Sequence, residues 1–125
     1  MHDNPTTNRP GIGDLTTAIL RSRFPEDIEQ TRFQMLAVLN FVNLRTREGQ
    51  RVTSDHFAEF AETDGLHSLL LTQMMERRGL LKRSRFAGSP EGASSFALSI
   101  RPDAITALEA AEEAENRAGS NVVGA

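Results

Sequence analysis

Three observations in the 125-residue sequence predict a mainly α fold carrying one small β-hairpin. The first is a long run of apolar residues at helical spacing over 26–47. The second is a helical pattern that opens after Thr53-Ser54, breaks at Thr63-Asp64-Gly65 and resumes over 66–78. The third is a pair of short runs, Leu80-Leu81-Lys82-Arg83-Ser84-Arg85-Phe86 and Ser95-Phe96-Ala97-Leu98-Ser99-Ile100, on either side of a loop with two glycines and a proline. Helix, tight turn, helix and hairpin in this order outline a winged helix-turn-helix, a module whose second helix docks in a DNA groove.

Residues 1–14 are rich in Pro, Gly, Thr and Asn without apolar period and are expected to be a flexible tail. Leu15, Ile19 and Leu20 suit a short helical turn. Pro25 then punctuates the chain and suits the start of the first long helix, with Glu26 and Asp27 in its first turn and Gly49 at its end. On that helix Ile28, Met35, Leu36, Leu39 and Val42 form one apolar stripe; Phe33, Ala37, Phe41 and Leu44 form a second, displaced around the axis. Two apolar faces call for two buried faces, the second against another subunit.

Thr53 or Ser54 is placed to cap the next helix, with Phe57, Phe60 and Ala61 facing inward. Asp64-Gly65 is a turn signal. The following helix closes at Gly79, and in the returning strand Phe96, Leu98 and Ile100 alternate with small or polar residues, as a half-buried strand does. Residues 87–94 make the hairpin tip. Pro102-Asp103 starts a last helix with Ile105 and Leu108 on its apolar side and an acidic stretch at 109–115. The division expected is a tail over 1–14, one domain over 15–117 and a second flexible tail over 118–125.

Composition narrows the function classes. The chain has no cysteine, which removes disulfides, thiolate metal sites and thiol nucleophiles. No apolar run approaches the roughly 20 residues of a membrane span, and the N-terminal residues lack the apolar core of a secretion signal, so a cytoplasmic protein is expected. Net charge is −3 and the isoelectric point about 5.6. Nucleic-acid-binding domains are commonly more basic, above about 9, so any DNA contact must rest on a local concentration of cations.

From 52 to 108 the chain resembles the MarR-type winged-helix regulators. Met75-Glu76-Arg77-Arg78-Gly79-Leu80-Leu81-Lys82-Arg83 is similar to that family's passage from recognition helix into wing, and Leu98-Ser99-Ile100-Arg101-Pro102-Asp103-Ala104-Ile105-Thr106-Ala107-Leu108 to its return into the next helix. The resemblance implies a dimeric, DNA-binding transcriptional regulator, often a repressor, paired through its N-terminal and/or C-terminal helices. The chain departs from the family in two places. Where the wing of such regulators carries an Asp-x-Arg element for the minor groove, this sequence reads Glu91-Gly92-Ala93. The recognition helix is rich in leucine. If Ser68, Leu71 and Met75 are buried, Leu66, Leu70 and Met74 face outward; in the shifted register Ser68, Thr72 and Glu76 would meet the groove instead.

Two functions of different class follow. In the first, 66–78 enter the major groove of double-stranded DNA. His67, Thr72 and Gln73 are then the polar residues within reach of base edges, and Ser54, Arg77, Arg78, Lys82, Arg83 and Arg85 hold phosphates. In the second, the module has lost DNA and binds a protein partner through Leu66, Leu69, Leu70 and Met74. His56 and His67 with Asp55 and Asp64 do not have the spacing of a metal motif, and no catalytic arrangement or phosphate loop is recognisable. No cofactor, no metal and no enzymatic activity are expected.

Overall fold

The computed structural model describes residues 11–85 and 96–124, with side chains up to 118. Five helices and one antiparallel hairpin follow in the order α1 (Ile12–Arg21), α2 (Glu29–Arg47), α3 (Ser54–Ala61), α4 (Gly65–Arg77), β1 (Leu81–Arg85), β2 (Phe96–Ile100) and α5 (Ala104–Gly124). The expected tips and ends at 1–10, 86–95 and 125 lie outside the described residues.

Helix α2 is the spine. Its Met35, Val38, Leu39 and Val42 are fully buried against Leu15 and Ile19 of α1, Phe57 of α3, Leu71 and Met75 of α4, Leu81 and Leu98 of the hairpin and Leu108 of α5. The second stripe on α2 is only partly covered by the described residues. Phe41 is covered, meeting Phe57 edge-on and Phe60 at a tilt, but Phe33 and Leu44 stay exposed. Ile28 is also exposed, and Phe60, expected to face inward, lies on the surface over Phe41.

Helix ends differ from expectation where side chains had other partners. Helix α2 begins at Glu29, not beside Pro25, because Asp27 folds back in a turn, its N–H donating to the Phe24 carbonyl at 3.1 Å. The Ile28 N–H then donates to Thr31 Oγ1 at 3.2 Å. Helix α1 starts at Ile12, inside the stretch expected as a tail, and α5 runs on to Gly124, past the expected start of the C-terminal tail at 118. Thr53 is the cap of α3: Thr53 Oγ1 accepts from His56 N–H, and Thr53 N–H donates to His56 Nδ1, both at 3.2 Å. Thus His56, weighed above as a metal ligand, serves a helix terminus.

The hairpin pairs Leu81 with Ile100, Arg83 with Leu98 and Arg85 with Phe96. It is fastened at the middle of β2 and at its base. Leu98 N–H donates to the Val52 carbonyl at 2.8 Å, and Arg101 N–H to the Leu80 carbonyl at 3.0 Å. Arg101 also grips Asp103 with two hydrogen bonds, which holds the Asp103 carboxyl below the usual carboxylate range.

Candidate nucleic-acid interface

The turn between α3 and α4 fixes the site. Glu62 adopts a left-handed conformation at φ 54°, and the Thr63 N–H donates to the Ala58 carbonyl at 2.9 Å. This closes α3 as a glycine usually would. Two residues on, Asp64 Oδ2 accepts from the His67 N–H at 3.3 Å and caps α4. Ser68, fully buried, donates from Oγ to the Ser54 carbonyl at 2.7 Å and locks α4 across the first turn of α3.

With Ser68 inward, the first of the two registers holds. Ser68, Leu71, Thr72 and Met75 are buried; Leu66, Leu69 and Leu70 are 62%, 36% and 55% exposed. Thr72 was expected to reach a base edge, but it lies inside with its hydroxyl donating to the Leu69 carbonyl at 3.0 Å. Met74, expected on the outward apolar face, is half-buried and packs against the core. His67 is exposed and Gln73 half-buried. Ser54 is half-buried, with its carbonyl already accepting from Ser68.

The basic cluster separates into three kinds of residue. Arg78 is only 3% exposed and is removed from any phosphate-binding role. Its guanidinium donates two hydrogen bonds to Asp27, at 2.7 and 3.0 Å, and stacks 3.7 Å over the Phe24 ring. A bidentate carboxylate and an aromatic face satisfy a buried guanidinium, so the residue holds the end of α4 to the α1–α2 connection. Arg83 is half-buried, pairing with Glu76 at 2.8 Å and lying 5.0 Å over Phe96. Arg77, Lys82 and Arg85 are exposed.

Strand alternation divides the last of these. Arg83 and Arg85 share the face of β1 that carries Leu81, and Arg83 lines a shallow cleft with Ser54, Leu69 and Thr72. Lys82 projects from the opposite face, beside Arg101 and Asp103. The partners Asp27 and Glu76 were not foreseen as such. Asp27 lies 51 residues from Arg78 in the chain, so no local pattern announces that pair. Glu76 precedes Arg83 across the helix-to-strand corner, which only the closed hairpin brings together. The wing tip at 91–93 lies outside the described residues.

No family model matches the chain, and no curated protein matches it significantly. Among solved structures, a variant of MepR from a multidrug-resistant S. aureus clinical isolate superposes with a TM-score of 0.50, at 13% identity, covering 99% of this chain and 96% of that one. A double mutant of Lactococcus lactis ZitR is similar with a TM-score of 0.44, at 13% identity, over 90% of this chain and 77% of that one. The fold is a winged helix-turn-helix. Within it α3 and α4 are the helix-turn-helix, α4 stands in the recognition position, and β1 and β2 form the base of the wing. Among the described residues no helix is long and apolar enough to cross a membrane.

Proposed function

We propose that this winged helix is a transcriptional regulator that binds duplex DNA, of the MarR type its sequence resembles. It acts in the cytoplasm as a homodimer joined through its N-terminal and/or C-terminal helices. Helix α4 would enter the major groove, with Arg77 and Arg85 on phosphates and Lys82 on a flanking one. The observation that carries the reading is the outward side of α4. Among the described residues no part of the chain covers it, and it ends in the exposed Arg77, one strand before the exposed Arg85. Surface cations at the end of a recognition helix can neutralise phosphates despite a net charge of −3.

The test is fluorescence anisotropy of the purified protein with a mixed-sequence duplex at low and at moderate salt. Binding that weakens steeply with added salt is expected, since each phosphate contact releases a counterion. Absence of binding at low salt overturns the reading.

A second reading, a protein-interaction module that has lost DNA, is favoured by one observation: Leu66 and Leu70 are more than half exposed on that same side. It predicts no DNA binding, and a protein partner that Leu70→Glu no longer captures while the melting temperature stays unchanged.

A further inference from the structure

The outward side of α4 is chemically unusual for a helix that reads DNA. At 100° per residue Leu66, Leu70, Gln73 and Arg77 fall within an arc of about 60°, with Leu69 about 40° beyond it. The stripe is about 16 Å long, enough to follow about five base pairs. Its first half holds leucines 62%, 36% and 55% exposed, and its second half one amide, Gln73, and one cation, Arg77. Two of the three residues expected to reach base edges lie off this stripe. Thr72 is turned inward, and His67 lies at the margin toward α2, where it lines a groove with Gln34 and Ala37.

Set in a major groove, leucine side chains lose water without gaining hydrogen bonds. The bases offer them one apolar partner, the thymine 5-methyl group. Gln73 has its own best partner in adenine, where an amide can accept from N6 and donate to N7. Both residue types on this face therefore select the same base pair. The exposed Arg77 at the end of the stripe, with Arg85 beyond it, matches the phosphates that flank such a groove.

We infer that α4 selects A·T-rich duplex DNA by packing Leu66 and Leu70 on thymine methyl groups, with Gln73 on adenine. The inference rests on the DNA-binding reading above and adds the class of sequence that is read.

The experiment compares three duplexes of equal length at one low salt concentration: alternating A·T, the same duplex with deoxyuridine in place of thymidine, and alternating G·C. The wild-type chain is expected to bind A·T most tightly. Removing the methyl groups should weaken binding about fourfold for each one that a leucine covers. The double variant Leu66→Ala with Leu70→Ala is expected to bind the A·T and A·U duplexes equally. Gln73→Ala is expected to narrow the gap between A·U and G·C. All three side chains lie outside the core, so the variants should keep the wild-type melting temperature. Equal wild-type affinity for A·T and A·U overturns the inference and leaves the DNA-binding reading standing. So does a methyl dependence that survives in the double leucine variant. Failure to bind any of the three duplexes overturns both and assigns the leucines to a protein partner.

Discussion

Two single residues carry backbone conformations on which the site depends. Glu62 holds a left-handed φ of 54° with a full side chain, at the point where the chain turns from α3 into α4. A β-carbon there costs about 1–2 kcal/mol. Glycine would relieve that cost but gain freedom in the unfolded chain. Glu62→Gly is therefore expected to stabilise the domain by a net of about 0.5–1 kcal/mol, read as a higher urea midpoint at unchanged slope. Gly79 is the opposite case. Its φ is +83°, and an added β-carbon would run into the side chain of Ala107 on α5. Gly79→Ala combines backbone strain with overpacking and should cost about 3 kcal/mol, read in the same denaturation experiment. The glycine is needed because the corner between α4 and β1 passes directly against α5.

At the scale of elements, α4 is held at both ends by polar contacts and along its length by apolar ones. Ser68 ties its start to α3, and Arg78, just past its end, ties it to the α1–α2 connection through Asp27 and Phe24. The Arg78–Asp27 pair is almost wholly buried, with side chains 4% and 6% exposed. Removing one member leaves an uncompensated buried charge. Arg78→Ala is expected to cost about 3–5 kcal/mol, and the joint replacement Arg78→Met with Asp27→Leu to restore most of it; thermal denaturation of the three proteins gives both values. If the pair acts only to stabilise, the double variant binds DNA as the wild type does. If it sets the angle of α4, the double variant is stable but binds more weakly. Buried pairing also explains why five basic residues in sequence, Arg77, Arg78, Lys82, Arg83 and Arg85, do not make five free surface charges.

At the scale of the molecule, the proposed function requires an acidic chain to bind an anionic polymer through a few cations. Each exposed cation that contacts phosphate contributes about 0.9 to the slope of log affinity against log salt. Arg77→Ala and Arg85→Ala are each expected to lower that slope by about one unit, measured by anisotropy across a salt series. Arg83→Ala should lower it less, because Glu76 already opposes that charge at 2.8 Å. Among the described residues nothing covers the exposed Phe33 and Leu44 on α2.

Element order was legible in the sequence because helix, turn and strand signals are local. Apolar residues at helical spacing marked α2, Asp64-Gly65 marked the turn, and alternation marked β2 within one residue. The burial of Ser68, Leu71 and Met75 was legible only as one of two registers, since a leucine-rich helix offers apolar residues on more than one side. Tertiary structure chose between them: Ser68 finds a carbonyl on α3, and Met75 meets α2. It also decided the fate of the candidate site, because charge in a sequence says nothing about its partner. Arg78 closes on a carboxylate 51 residues away and Thr72 on the helix backbone, while Arg77, Lys82 and Arg85 stay in water. The sequence by itself determined which segments become helices and strands, through spacing that each segment carries alone. Which face of α4 looks outward, and with what charge, was decided only when distant segments competed for the same buried contacts.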